Sequence, residues 1–267
     1  MKRIQIITGA GTGIGREFAC QLARTRPVDE LWLIGRRMDK LEETAALAAS
    51  QGESDTHCRT LAMDIGGPQG VAAFTQLLAE EKEILIDALI NNAGFGTYGT
   101  FMETPLEREL EMIHLNIYTL TALCHLCIPR MPPGSLLVNV ASLAAFIPLG
   151  NFAVYAATKA YVLSFSVALG AEIADSGIFV SSLCPGPVDT EFANVASGGV
   201  RKKVTGGKSA EQVVSYCLKD ATRGKHISLA TPIWKFKAFM SRFVGRYAYA
   251  RHSYKHDTRP APGSAGQ

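Results

Sequence analysis

An α/β fold built on a doubly wound parallel sheet, in a single domain, is the fold class this sequence predicts. Short runs rich in Val, Ile and Leu alternate with stretches of helical period along the chain, the order expected of βα units. The runs lack strict in–out alternation, which marks strands covered on both faces. No linker, internal repeat or low-complexity core interrupts them. With 267 residues, 47% hydrophobic and 19% charged, the chain can fill one large core, and disorder is excluded for its bulk.

The first strand is expected over Ile4–Thr8, from the run Ile4-Gln5-Ile6-Ile7. Glycines then turn the chain into a helix over Ile14–Arg24. A second strand follows over Leu31–Gly35, and a helix over Met38–Ala49. The pattern repeats with strand His57–Met63 and helix Gln69–Glu81, strand Ile86–Asn91 and helix Leu106–Leu126, strand Ser135–Ala141 and helix Tyr155–Ala174, and a last strand, Ile178–Cys184. Parallel strands joined this way require right-handed crossovers. The stretch Ala196–Lys208, rich in Gly, Ser and Lys, reads as a mobile loop. Residues 1–230 are expected to form the main unit, 231–258 an amphipathic extension of it, and 259–267, with Pro, Gly and Ala and little to bury, a frayed tail.

Charge is unevenly spread. From Arg201 onward there are 14 Lys+Arg and 3 Asp+Glu, a balance of +11, against 13 and 21 in the first 200 residues, a balance of −8. A basic end of this kind suits an anionic ligand or surface, or is a solvated face. No signal-peptide pattern is visible at Met1-Lys2, and no apolar run is long enough to span a membrane, so a cytoplasmic protein is expected. Cys20, Cys58, Cys124, Cys127, Cys184 and Cys217 are scattered and read as reduced thiols. Cys124-His125-Leu126-Cys127 has CxxC spacing but no second pair, so no metal is expected.

The first strand leads into Thr8-Gly9-Ala10-Gly11-Thr12-Gly13-Ile14-Gly15. Glycines without Cβ let backbone N–H groups approach an anion, and the helix that opens there adds its positive dipole end. A pyrophosphate fits such a seat, and a Rossmann-like dinucleotide site is expected. An acid about 20 residues further on usually binds the adenosine ribose. Here that position is Gly35, followed by Arg36 and Arg37. Guanidinium groups suit a 2′-phosphate, so NADP is expected and NAD is the weaker fit.

These residues resemble the short-chain dehydrogenase/reductase family over about residues 4–230. The glycine loop reads as TGxxxGxG. Asp64, with Ile65 beside it, matches the acid that meets adenine. Asn91-Asn92-Ala93-Gly94 matches the NNAG segment. Asn116, Ser142, Tyr155 and Lys159 match the catalytic tetrad, and Pro185, Gly186, Val188 and Thr190 lie in the segment beside the nicotinamide. The resemblance implies that Lys159 also binds the nicotinamide ribose, that Asn116 supports a water-mediated proton path, and that subunits pair through the two long helices into a homodimer or homotetramer. Thr190 equally suits a helix N-cap before Glu191.

Tyr155-Ala156-Ala157-Thr158-Lys159 has a physical logic of its own. Positions i and i+4 share a helix face, so phenol and ammonium lie together. The cation is expected to lower the phenol pKa towards working pH, and Ser142 to hold the substrate oxygen. Phe95, Ala144, Phe146 and Phe152 flank these residues and suggest a bulky hydrophobic ketone or secondary alcohol, steroid-like or with an acyl chain. The competing readings are a 3-oxoacyl-type reductase, a longer-chain nucleotide-sugar epimerase, and a non-catalytic NADP sensor. An epimerase does not suit this length, and a sensor does not suit an intact Ser142, Tyr155 and Lys159. Ile233–Tyr247 reads as one amphipathic helix that covers the cleft, meets a partner subunit or lies peripherally on a membrane. Nucleic acid is not an expected partner.

Overall fold

A computed structural model describes residues 1–52, 57–201 and 206–257. Strand β1 (Lys2–Thr8) is followed by α1 (Gly13–Thr25), β2 (Glu30–Gly35), α2 (Met38–Gln51), β3 (His57–Ala62), α3 (Gly67–Glu80) and β4 (Ile84–Asn91). Then come α4 (Leu106–Ile113), α5 (Leu120–Cys127), β5 (Leu136–Val140), α6 (Ala153–Glu172), β6 (Phe179–Leu183), α7 (Phe192–Ala196), α8 (Ala210–Thr222), β7 (Ile227–Ser228), α9 (Pro232–Met240) and α10 (Arg246–His256). The strands form one seven-stranded sheet in the order β3-β2-β1-β4-β5-β6-β7, with every pairing parallel.

Both faces of the sheet are covered, as the unbroken apolar runs require. Helices α1, α2 and α8 pack together in one layer, and α3, α4, α5 and α6 in the other. Ile4, Ile6 and Ile7 of β1, Leu33 and Ile34 of β2, and Leu89 and Ile90 of β4 are wholly buried between them. The chain order reverses direction across the sheet between β1 and β4. At that switch point the strand ends splay two crossovers apart, and a crevice opens at their carboxyl ends.

The predicted strands and helices agree with the observed ones to within a few residues, with two exceptions. The helix expected over Leu106–Leu126 is broken by a π-helical turn at His114–Thr119, between α4 and α5. The segments Leu106–Arg130 and Ala153–Glu172 are long and apolar enough to cross a membrane by length and composition, but α5 packs on β4 and α6 on β5 and β6. The single helix expected over Ile233–Tyr247 is two. It ends at Met240, turns through Ser241–Val244, and restarts with Gly245 as the N-cap of α10. Three further elements, α7, α8 and β7, have no counterpart in the sequence reading. Yet α8 carries a legible start: Ser209 caps it and accepts a hydrogen bond from the Gln212 N–H at 3.2 Å, one half of an S-x-x-Q box. Of the loop expected over 196–208, residues 202–205 lie outside the described residues. Ser197 there is buried and accepts from the Arg201 N–H at 2.7 Å, and Lys208 bridges to Val188. The tail expected over 259–267 also lies outside the described residues.

One buried charge ties the sheet together. Asp87, on β4, is 1% exposed and accepts from Arg3 on β1 and from Arg26 after α1. Burial alone would push its carboxyl up. The hydrogen bonds from Arg26 and Arg3 outweigh burial and hold the pKa below the usual carboxylate value. A depressed folded-state pKa stabilises the fold above the unfolded carboxylate pKa, and that share is lost as pH falls through the folded value. Asp87→Asn is therefore expected to lower stability by on the order of 2 kcal/mol at neutral pH and to flatten the fall in Tm on acidification. A Tm–pH profile parallel to that of the unsubstituted protein would refute this.

Candidate active site

The loop between β1 and α1 is built around glycine for steric reasons. Gly9 and Gly13 have φ of +65° and +56°, the left-handed region that penalises a side chain. A Cβ on Gly15 would sit 2.2 Å from the Gly9 carbonyl oxygen, so only glycine lets the first turn of α1 nest against the loop. The loop is also tied to β4. Thr8 Oγ1 accepts from the N–H groups of Asn92 and Ala93, each at 3.0 Å, and Asn92 Nδ2 donates to the carbonyls of Thr8 and Gly9 at 3.0 and 3.1 Å. Asn92 thus fixes the loop it faces. Its place within the NNAG segment does not by itself announce that role.

A cleft of ≈ 1270 Å³ runs from this loop across the strand ends, larger than the roughly 300–1,000 Å³ that holds one drug-sized ligand. Most residues picked from the sequence line it: Gly9, Gly11, Thr12, Gly13 and Ile14 at the loop, Arg36, Arg37, Asp64 and Ile65 at one end, and Ala93 and Gly94 at the centre. Ser142, Tyr155 and Lys159 line the same cleft, with Pro185, Gly186, Val188 and Thr190 along its wall. Thr8, Gly15, Asn91 and Asn116 stand behind the surface. For Asn91 this corrects the expectation that it would bind a cofactor. Its amide donates to Asn139 Oδ1 at 2.9 Å and to the buried Cys124 thiol at 3.2 Å. Thr8 and Gly15 shape the loop rather than line it. Cys124 and Cys127 are both buried, and among the described residues no cluster of His, Cys, Asp and Glu has metal-binding geometry.

The glycine cradle fits a dinucleotide. Its backbone has no Cβ in the way, the N-terminus of α1 faces the cleft, and Arg36 and Arg37 stand at the end where an adenosine ribose would lie. Arg37 is not idle there. Its Nη2 lies 2.6 Å from Glu191 Oε2, and Thr12 Oγ1 donates to the same oxygen at 3.4 Å. Glu191, just past Thr190, closes a polar bridge over the cleft mouth that the sequence reading did not foresee.

At the other end, Tyr155 and Lys159 sit one turn apart on α6, buried at 7% and 5% exposure. Their relation differs from the expected one. Lys159 Nζ donates to the Val140 carbonyl at 2.8 Å and lies 5.7 Å from the centre of the Tyr155 ring. Burial pushes the Tyr155 pKa up, opposed by the Ser142 hydroxyl, with Tyr98 adding to the rise. Burial also brings Lys159 down, to about 8, countered by Cys184. Burial thus shifts the phenol upward, opposite in direction to the lowering expected from Lys159. Ser142, at the end of β5, accepts from the Ala144 N–H at 3.1 Å and caps the turn that follows.

Asn116 occupies the π turn. Its side chain accepts from the Phe95 N–H at 3.2 Å and donates to the Phe95 carbonyl at 3.0 Å and to Thr158 Oγ1 at 3.1 Å. The bulge in the helix aims this side chain across to α6. A Cβ on Gly94 would lie 2.8 Å from Asn116 Oδ1 and 3.4 Å from Lys159 Nζ, so the two polar groups meet on one side of that glycine. The opposite wall is aromatic. Phe152 stacks on Tyr155 at 4.1 Å between centroids, Tyr98 tilts against Phe152 at 4.8 Å, and Phe192 against Tyr155 at 5.4 Å. Phe95, Ala144 and Leu149 pack on this cluster, and Phe146 lines the cleft nearby. Helix α9 is fastened to the site by its buried Trp234, whose ring a Cβ on Gly186 would meet at 2.5 Å.

The chain is similar in sequence and fold to known proteins. The profile of the short chain dehydrogenase family matches residues 3–199. "Probable oxidoreductase EphD" of Mycobacterium tuberculosis is 32% identical over 189 residues, 70% of this chain and 31% of that one, so the match spans about a third of that relative. A very-long-chain 3-oxoacyl-CoA reductase of Phaeosphaeria nodorum is 29% identical over 251 residues, 90% of this chain and 71% of that one. Among solved structures, a short-chain dehydrogenase from Sphingobium yanoikuyae in complex with NADPH superposes with a TM-score of 0.76 at 27% identity, covering 97% of each chain.

Proposed function

The chain belongs to the short-chain dehydrogenase/reductase family, whose members are oxidoreductases acting on CH–OH and C=O groups, and from that premise we propose that it is an NADP-dependent reductase of bulky hydrophobic ketones. The observation that carries this reading is one continuous cleft with an arginine-edged glycine cradle at one end and a buried, aromatic-walled Tyr155 at the other. When bound in the cradle, NADPH supplies the hydride. Gly9, Gly11 and Gly13 would hold its pyrophosphate, and Arg36 and Arg37 its 2′-phosphate.

The rest is the work of the chain. Tyr155 donates its phenolic proton to the substrate oxygen as negative charge develops there. The Ser142 hydroxyl, facing the phenol, steadies that oxygen. The phenolate left behind is stabilised by the positive Lys159 on the same helix face and regains a proton from it, and Lys159 is in turn reprotonated from the Asn116 side of Gly94. Phe152, stacked on the reacting ring, keeps it in one rotamer and keeps water off it. The same stack, with Tyr98, Phe192 and Leu149, forms an apolar seat suited to a ring system or an acyl chain.

A second reading, a 3-oxoacyl-type reductase, is favoured by the Phaeosphaeria relative. Following NADPH oxidation with a panel of diaryl ketones, ketosteroids, 3-oxoacyl thioesters and small keto-sugars separates the possibilities. We expect kcat/KM to rise with apolar bulk. Turnover confined to keto-sugars would refute the proposal. The outward faces of α4, the π turn after it and α6, with Leu110, Tyr118 and Val167 exposed, support pairing of subunits through these helices.

A further inference from the structure

Helix α9 is amphipathic in the inverse of the usual sense. At helical spacing its inward side consists of Trp234 and Ala238, which are buried. Its outward side carries Ile233, Phe236, Phe239 and Met240, all solvent-exposed, with Lys235 along one edge of the strip and Lys237 along the other. The apolar strip continues past the helix through Phe243 and Tyr247, which are 69% and 83% exposed. Phe239 and Phe243 tilt against each other at 5.3 Å between centroids and so form one aromatic ridge. Contiguous exposure of this kind marks an interaction surface.

Charge decides what it meets. Lys235, Lys237, Arg242, Arg246, Arg251 and Lys255 lie in α9, α10 and the turn between them, and no Asp or Glu occurs anywhere from residue 221 to 256. A second copy docked on this face about a twofold axis would set cations against cations. An anionic bilayer instead takes the aromatic strip into its acyl boundary while the lysine stems at the edges carry their ammonium groups to the headgroups. The same helix also borders the active-site cleft, through Phe236, Met240 and Val244. The apolar strip and the rim of the cleft are therefore one continuous surface.

We propose that α9 and the turn after it seat this protein on anionic membrane surfaces, with the cleft mouth against the bilayer, so that a lipid-dissolved ketone passes into the site without crossing water. Docking stands on the exposed strip and its charge alone. Only the passage of substrate rests on the function proposed above, and vesicle binding is read without turnover, so the two can fail separately.

Flotation of the full chain with phosphatidylglycerol vesicles, with phosphatidylcholine vesicles, and with phosphatidylglycerol at high salt tests the docking. We expect binding to phosphatidylglycerol that weakens about tenfold or more in each of the other two conditions. Phe239→Ser/Phe243→Ser, at residues outside the cleft, is expected to lose about tenfold or more in vesicle binding while NADPH affinity, the check on folding, stays unchanged. Lys235→Glu/Arg242→Glu is expected to lose binding similarly and keeps the test open if the first variant misfolds. The proposal is overturned if the unsubstituted protein does not float with phosphatidylglycerol, if it binds both lipids equally, or if both variants float normally. It is overturned too if the serine variant dissociates a self-associated form that never bound vesicles.

Discussion

Tyr155→Phe is expected to lower kcat for ketone reduction by about 10²–10⁴-fold, the range supplied by a positioned proton donor, while NADPH binds as before. The phenyl ring keeps the stack on Phe152 and the contact with Phe192, so packing is preserved and only the hydroxyl is removed. The pH dependence follows from the raised phenol pKa. Burial disfavours the phenolate, so the acid form needed for reduction persists across neutral pH, and reduction falls only as the medium approaches the phenol pKa. Alcohol oxidation needs the phenolate and rises over the same alkaline range. Lys159, brought down to about 8 by burial, is charged below that value and favours proton release from the phenol there. Single-turnover reduction and oxidation rates across pH, with and without the substitution, are the measurement. A Tyr155→Phe variant that reduces ketones at the original rate would remove Tyr155 from the chemistry.

The architecture was legible because it depends on patterns that survive without tertiary detail. Six apolar strand runs, the glycines at the first turn and the order of the polar motifs each constrain the chain locally. Gly9 and Gly13 at positive φ and the steric need at Gly15 were implicit in the spacing of that loop. What could not be read is what depends on distance and burial. The direction of the Tyr155 shift is not legible locally, because i,i+4 spacing puts Lys159 on the same helix face but does not say that its Nζ turns to the Val140 carbonyl, nor that the phenol is buried. The π turn around Asn116 carries no glycine or proline to announce it. Asn91 and Asn92 are neighbours of the same type, yet alternation along β4 sends Asn91 into the core and Asn92 to the glycine loop. The break between α9 and α10 was hidden because apolar residues continue through Phe243 and Tyr247 at helical spacing even though the backbone turns at Ser241–Val244. The Glu191 bridge to Arg37 joins residues 154 positions apart, which no local pattern reveals.

That bridge sets up the second large effect. Arg36→Ser/Arg37→Ser is expected to weaken NADPH binding about 10²–10⁴-fold, because each of the two arginines would contribute a hydrogen bond to a charged group, roughly 1.5–3 kcal/mol apiece, and about 1.4 kcal/mol is a factor of ten in affinity. NADH, which carries no 2′-phosphate, is expected to change by less than about threefold. The partner across the cleft mouth gives the opposite sign. Glu191 holds Arg37 at 2.6 Å, so a 2′-phosphate must compete with a carboxylate for the same guanidinium. Both side chains of that pair are about half exposed, where such ion pairs are worth roughly 0–1 kcal/mol, so Glu191→Gln is expected to tighten NADPH by no more than about fivefold and to leave NADH unchanged. The two substitutions are coupled through one guanidinium. In an Arg37→Ser background the gain from Glu191→Gln should therefore vanish. Titrating both cofactors by fluorescence against the unsubstituted protein, Glu191→Gln, Arg37→Ser and Arg37→Ser/Glu191→Gln completes the cycle, and the arginine double variant is titrated beside them. If the arginine double variant binds NADPH and NADH in the original ratio, the 2′-phosphate is read elsewhere. If the Glu191→Gln gain persists without Arg37, the carboxylate acts on the cofactor directly, through repulsion of its phosphates, rather than by occupying the arginine.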